Sequence, residues 1–104
     1  MAKLMTLYWR DIPAQVIAET GRGRNREQAK IELSRRFAIA IDEAAMRDGA
    51  ASTDDYLAEW RRGEPVECGD DLDAAAAECA AGLEADYPAE RVRALVENGG
   101  REPA

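Results

Sequence analysis

The stretch KLMTLYWRDIPAQVIAET, residues 3–20, decides the fold because it holds two alternating segments around a turn. In the first segment, Met5, Leu7 and Trp9 share one side, a pattern typical of a β-strand. The "RDIPA" that follows supplies turn chemistry, and its proline cannot donate a ladder hydrogen bond. Residues 14–20 alternate again. We therefore predict an antiparallel hairpin, with Trp9 packed in the core.

The period changes after the hairpin. "GRGRN", residues 21–25, is a break, and from Asn25 the apolar side chains recur at helical spacing. Asn25 is suited to cap a helix, and Gly49 to end it. This pattern predicts a helix about 22 residues long, roughly 33 Å at 1.5 Å per residue. Its apolar stripe comprises Ala29, Leu33, Phe37, Ala40, Ile41 and Ala44, widened by Ile31 and Ile39.

The remaining chain predicts three shorter helices and one short strand. A helix with Tyr56, Leu57 and Trp60 on its buried face ends at Gly63, and Val66 favours a third strand at a sheet edge. Residues 70–87 and the segment from Pro88 to Asn98 predict the last two helices. The expected fold is therefore α+β. A small antiparallel sheet, comprising the N-terminal hairpin and the Val66 strand, packs against a long helix and three shorter ones. These elements form one domain over residues 1–98. Residues 99–104 form a loose tail.

Charge is unevenly distributed along the 104 residues. The net charge is −7, yet residues 1–47 carry nine basic and six acidic side chains, whereas residues 48–104 carry five and fifteen. Such an acidic chain has no overall field that favours nucleic acid or an anionic membrane. Its apolar runs are too short to cross a bilayer, and its N-terminus does not resemble a signal peptide. We expect a cytoplasmic protein.

The residue inventory argues against most catalytic chemistry. The chain has no histidine, the usual general base and activator of serine or cysteine nucleophiles. Cys68 and Cys79 match neither a redox motif nor a zinc site, and we expect both to be reduced and partly buried. The acidic cluster at residues 70–73 fits helix capping better than calcium binding. No cofactor or metal is predicted, and an enzyme using tyrosine, arginine and carboxylates remains a minor hypothesis.

A cluster of cations near the hairpin is the main candidate site. The loop Gly21–Asn25 precedes a predicted helix, so its backbone N–H groups and guanidinium groups could hold a phosphate or carboxylate. The loop lacks the Gly-Lys-Ser/Thr ending of a phosphate-binding loop. The alternative is a solvated turn paired with the protein's own carboxylates. The candidate partner- or anion-binding residues are Tyr8, Arg10, Arg22, Arg24, Arg26 and Lys30.

The segments LYWRDIPAQVIAETGRGR and AKIELSRRFAIAIDEAAM resemble the small bacterial family labelled virulence factor domain, whose recognisable feature is a Tyr-Trp-Arg-Asp-Ile-Pro-Ala-Gln-Val-like segment. The resemblance covers residues 4–98 and carries no catalytic residues. It implies an accessory protein associated with folate-dependent one-carbon or corrinoid methyl-transfer enzymes.

Two functional hypotheses follow. The first is a non-catalytic accessory or adaptor protein that docks onto a larger cytoplasmic enzyme, with the arginines meeting an acidic surface and Tyr8 as an aromatic anchor. The second is a small-molecule module that holds a phosphate or a folate glutamate tail at Gly21–Asn25. The oligomeric state and the identity of the partner are not determined by the sequence.

Overall fold

The computed structural model describes residues 2–21, 27–47, 49 and 53–102. Within them the chain forms five strands and four helices, and the predicted α+β class is confirmed. In chain order the elements are β1 (Lys3–Trp9), β2 (Ile12–Thr20), β3 (Glu27–Glu32), α1 (Arg35–Arg47), α2 (Thr53–Ala58), β4 (Trp60–Arg62), β5 (Val66–Glu67), α3 (Leu72–Asp86) and α4 (Ala89–Glu97).

The sheet is antiparallel throughout and is built around the predicted hairpin. β1 pairs with β2 from Lys3↔Glu19 to Trp9↔Ile12, and a bulge shifts the register between Leu7 and Tyr8. β3 extends the sheet beyond β2, giving the order β3-β2-β1-β4. The free edge of β1 is covered in two parts, by β4 near Trp9 and by β5 near Lys3. The prediction that the Val66 segment adds an edge strand is confirmed.

The start of the predicted long helix is wrong. Residues 27–32 form strand β3, and the helix begins only at Arg35. The segment fits both periods, because Ala29 and Leu33 continue the helical stripe while Ala29 and Ile31 also alternate with polar residues. Pairing with the open edge of β2 satisfies the backbone of β3, and this tertiary contact overrides the helical propensity of Gln28 and its neighbours. The predicted cap, Asn25, lies outside the described residues, whereas Gly49 follows the helix with a φ of 70° as expected.

The second predicted helix also ends early. α2 stops at Ala58, and Trp60 and its neighbours form β4 instead of a last helical turn. Leu57, predicted to be buried, is 59% exposed. Arg61 therefore belongs to a strand beside Tyr8 and not to a helix C-terminus. The three residues of β4 pair with the end of β1, and this pairing replaces the last turn of the predicted helix.

The last two helices are confirmed where they were predicted. Asp71 caps α3 by accepting a hydrogen bond from the Ala74 backbone N–H at 3.1 Å, and α4 follows Pro88. α3 packs against β2 and β3, while α1 packs against α4 and β2. The core between these layers contains Trp9, Ile12, Val16, Phe37 and Leu95, all essentially inaccessible to solvent. The buried position predicted for Trp9 is therefore confirmed.

The start of α1 is fixed to the end of α3 by polar contacts. Glu84 accepts hydrogen bonds from the backbone N–H and the hydroxyl of Ser34, at 2.6 and 2.8 Å, and forms an ion pair of 3.1 Å with Arg36. Burial alone would raise the pKa of Glu84, but these contacts with Ser34 and Arg36 outweigh it and lower the pKa. The arrangement fixes the start of α1 against the end of α3. No helix in the described part of the chain is long and apolar enough to cross a membrane.

Candidate functional site

The turn between β1 and β2 is held in an uncommon backbone conformation. Arg10 has a φ of 54°, a region that costs an L-residue about 1–2 kcal/mol. Its side chain is 6% exposed, donates from Nη1 to the Gly99 carbonyl at 2.6 Å and lies 3.6 Å from a Glu59 carboxylate oxygen. The guanidinium also lies 4.8 Å from the centre of the Trp9 ring. These contacts stabilise the turn and place Arg10 inside the protein.

Asp11, the second residue of the turn, holds the C-terminal segment. Its backbone N–H donates to the Gly100 carbonyl at 2.8 Å, and its carboxylate accepts from the Glu102 backbone N–H at 2.7 Å. The same carboxylate forms a 3.1 Å ion pair with Arg61. We call the contacts of residues 99–102 with Arg10 and Asp11 the clasp. The prediction of a loose tail from residue 99 therefore does not describe residues 99–102, which the turn binds through charge-assisted and backbone hydrogen bonds.

Glycine is required where the clasp meets the core. Gly100 has a φ of 87°, and a Cβ atom at this position would lie 2.9 Å from Cζ3 of Trp9. Trp9 has no room to move aside, because it is fully buried, donates from Nε1 to the Tyr56 carbonyl at 2.9 Å and stacks on the Tyr56 ring. The Trp-Arg-Asp portion of the motif thus joins the hairpin turn to the end of the domain.

Tyr8 belongs to a second cluster of arginines and tyrosines. The guanidinium of Arg61 lies over the Tyr8 ring at 4.5 Å, and that of Arg91 lies over the Tyr87 ring at 4.0 Å. The two tyrosines line one cavity of about 330 Å³ together with Asp11. Burial raises the pKa of Tyr87, while Arg91 opposes the shift, so its hydroxyl stays protonated at neutral pH. One face of the Tyr8 ring is already occupied by the protein's own cation.

A groove of about 320 Å³ between α1 and α4 offers a more accessible surface. Residues spaced three or four apart on each helix line it, so each helix contributes one continuous stripe. The apolar floor includes Ile39, which is 46% exposed. Neither Arg47 nor Arg93 forms an ion pair within 4 Å of another described residue. The groove residues are Arg36, Ile39, Ala40, Glu43 and Arg47 from α1, and Ala89, Val92, Arg93, Val96 and Glu97 from α4.

The comparisons with known proteins identify the family. The sequence model of the family described as virulence factor matches residues 7–96, most of the chain. The chain belongs to the virulence factor family. The matched region includes the turn, the Tyr8 cluster and all of the groove residues except Glu97, and it ends before residues 99–102. Neither the comparison with curated proteins nor the comparison with solved structures gives a match.

In this virulence factor family protein, the predicted site residues do not share one described surface. Thr20 and Glu27, which flank residues 22–26, pair at the end of the sheet next to Lys3. Tyr8 lies five residues from Lys3 along β1, or roughly 17 Å at about 3.4 Å per residue. Arg22, Arg24 and Arg26 lie outside the described residues, and an anion site at Gly21–Asn25 stays a prediction.

Lys30 is exposed on the edge strand β3, aligned with Ile17 and, through it, with Met5. Because side chains alternate along β1, Lys30 shares a face with Met5 and lies on the face opposite Tyr8. Of the predicted residues, the structure therefore brings Tyr8 and Arg10 to the same end of the sheet and separates Lys30 from them.

The sequence did not reveal the groove of this virulence factor family protein, although one clue was present. Ile39 was assigned to a widened apolar stripe, whereas α1 buries only one side of that stripe. Arg36, Glu43 and Arg47 recur on the same helical face as Ile39, and this mixture of charge with an apolar residue is typical of a partly exposed helix. What the sequence could not show is that α4 would run beside it.

Proposed function

We propose that this protein is a non-catalytic accessory domain that docks onto a larger cytoplasmic enzyme through the groove between α1 and α4. The supporting observation is the combination, in one concave surface, of the half-exposed Ile39 with Arg47 and Arg93, two guanidinium groups that have no ion pair among the described residues. Aromatic residues and arginines contribute most of the binding energy at protein interfaces. Such interfaces have an apolar centre that is buried on binding and a polar rim around it.

Arg47 and Arg93 favour an amphipathic segment that presents carboxylates as the partner surface. The rim of the groove carries three arginines and two glutamates, a net charge of +1 before the pairing of Arg36 with Glu84 is counted, on a chain of net charge −7. Arg36 is already anchored to Glu84 and to the Tyr87 carbonyl, which leaves Arg47 and Arg93 to meet carboxylates. Complementary charges of this kind set the orientation and rate of association more than its affinity.

The apolar floor supplies the attraction that the charges orient. Burying the exposed half of Ile39 would contribute about 1 kcal/mol. Two charge-assisted contacts at a partly desolvated rim add to this, whereas an isolated exposed pair contributes about 0–1 kcal/mol. The total binding energy from these groups is small. It fits a regulatory or scaffolding contact in which the groove is one part of a larger interface. The resemblance to the virulence factor domain family suggests that the partner is an enzyme of folate-dependent one-carbon or corrinoid methyl transfer.

The absence of histidine from the whole chain supports a non-catalytic role, because general acid-base chemistry at neutral pH then lacks its usual side chain. The motif residues Arg10 and Asp11 also have evident structural partners, in the clasp and in β4. They stabilise the scaffold that presents the groove, and a separate chemical role for them is not needed to explain their placement.

Co-purification from the source cell tests this proposal. The groove variant carries Ile39→Asp and Arg93→Glu. A matched control carries Leu57→Asp and Arg62→Glu, since both of these residues are exposed and neither lines the groove. We expect the wild type and the control to recover the same larger protein in constant proportion, and the groove variant to lose it while keeping a native circular dichroism spectrum. Equal recovery by both variants would contradict docking through the groove.

A further inference from the structure

A second cleft, on the other side of α1 from the groove, combines aromatic walls with negative charge. It has a volume of about 240 Å³ and is lined by residues of α1, α2 and the four strands β1–β4 of the sheet. Tyr56 and Trp60 form its aromatic part, and Leu7 and Ile41 are among its apolar residues. Its charged residues are Glu32 and Asp42.

The aromatic rings of the cleft are held firmly in place. Tyr56 stacks on the buried Trp9 with ring centres 5.9 Å apart, and Trp60 meets Tyr56 edge-on at 5.8 Å. Both rings are only half-buried, so each retains some surface toward solvent. Because Trp9 is fixed by its own hydrogen bond to the Tyr56 backbone, the aromatic surface is formed before any ligand arrives.

The cleft carries unbalanced charge. No lysine or arginine among the described residues lines it, and neither Glu32 nor Asp42 forms an ion pair within 4 Å of any of them. Burial raises the pKa of Tyr56, the negative charge of Asp42 raises it further, and a hydrogen bond with the Trp60 side chain opposes the shift. The amide of Gln15 supplies an additional hydrogen-bonding group.

We propose that this cleft binds an organic cation, specifically a guanidinium group on a short apolar stem. The flat guanidinium suits both an aromatic face and a pair of carboxylates, since it stacks on rings and donates several hydrogen bonds in one plane. The apolar stem matches the half-buried Leu7. The site is independent of the docking groove, because the two lie on different faces of α1 and share no lining residue.

Binding of butylguanidinium to the full-length protein, compared with its neutral isostere butylurea, tests the proposal. The perturbation of the Trp60 indole N–H signal in two-dimensional NMR reports occupancy of the cleft. We expect saturable shifts with butylguanidinium and none with butylurea at the same concentration. Shifts of equal size with both probes, or with neither, would overturn the proposal.

Isosteric variants locate the charge that the cation recognises. We expect Asp42→Asn and Glu32→Gln each to weaken butylguanidinium binding roughly threefold or more. Glu43→Gln is the matched control, since it removes the same charge from the next residue of α1, which lines the other groove. If Glu43→Gln weakens binding as much as Asp42→Asn does, the effect is only the general field of an acidic protein and the cleft is not the site.

A second pair of probes separates the two sources of such a cation. The peptide acetyl-Gly-Arg-Gly-amide presents the same group as an arginine side chain, and its citrulline counterpart is the neutral control. Tighter binding of the arginine peptide than of butylguanidinium assigns the cleft to an arginine of a protein partner, whereas the reverse order assigns it to a free small molecule. Failure of both cations to bind refutes the proposal while leaving docking through the α1–α4 groove intact.

Discussion

Replacing Gly100 with alanine should destabilise the protein substantially, because two costs coincide at this residue. The φ of 87° lies in the left-handed region, which costs an L-residue about 1–2 kcal/mol. The new Cβ would also lie 2.9 Å from Cζ3 of Trp9 and 3.4 Å from Cδ of Arg10, and overpacking of this kind costs about 1–3 kcal/mol. We expect a total loss of about 2–5 kcal/mol in the free energy of unfolding.

Gly49 provides the matched control for this substitution. It also has a positive φ, 70°, but a Cβ there would meet no atom of the described residues within 4 Å. Gly49→Ala therefore carries the backbone cost without the contact with Trp9, and both variants lose the same conformational freedom in the unfolded chain. Chemical denaturation of both variants gives the difference directly, and we expect Gly100→Ala to be less stable than Gly49→Ala by about 1–3 kcal/mol. Equal stabilities within about 0.5 kcal/mol would refute the close packing of the clasp against Trp9.

Three further predictions concern the polar contacts that hold the fold. Asp11→Ala removes the acceptor of the Glu102 backbone N–H and of Arg61, and thermal melting should show a loss of about 1–2 kcal/mol. The pKa of Glu84 is lowered in the folded state, so ionised Glu84 stabilises the fold above pH 4.5, the unfolded value. This stabilisation is lost as the pH falls through the folded pKa. Acid titrations of stability should therefore show a smaller loss in Glu84→Gln than in the wild type. Burial raises the pKa of Tyr87, so Tyr87 ionises first in the unfolded chain and the free energy of unfolding falls as the pH rises above 10. Tyr87→Phe should flatten that decline. An unchanged slope of stability against pH would argue against the buried hydroxyl.

The sequence predicted those elements in which local and tertiary preferences agree. The hairpin followed from strict alternation around "RDIPA", and the last helix followed from Pro88 and an apolar stripe that faces the core. The capping role of the acidic cluster before α3 was also predictable, because Asp71 acts on its own local backbone. In each case the residues that determine the element lie within a few positions of it.

The elements that were missed depend on partners distant in the sequence. β3 reads equally well as a helix until the edge of β2 is present to pair with Ala29 and its neighbours. β4 similarly needs β1, since three residues have too little pattern of their own. The clasp joins Asp11 to Glu102 across 91 positions, and the α1–α4 groove joins two helices about 50 residues apart. Single-sequence periodicity contains no information on such pairings.

The roles of the arginines were the hardest feature to predict. Arg10 was predicted to contact a partner or an anion, yet it is buried in the clasp, and Arg61 lies between the Tyr8 ring and Asp11. A guanidinium can serve a fold in this way because it donates five hydrogen bonds and stacks on aromatic faces, so its charge alone does not mark a ligand site. Only their burial and their bonding partners separate such arginines from those, like Arg93, that have no ion pair among the described residues.

The most direct test of docking through the α1–α4 groove compares two charge-altered proteins in one co-purification experiment. The groove variant carries Ile39→Asp and Arg93→Glu, and the loop variant carries Arg22→Glu and Arg24→Glu at the site that the sequence favoured. We expect the larger partner to be lost from the groove variant and retained by the loop variant. Retention by the groove variant together with loss from the loop variant would contradict the proposal and return the docking role to the arginines after β2.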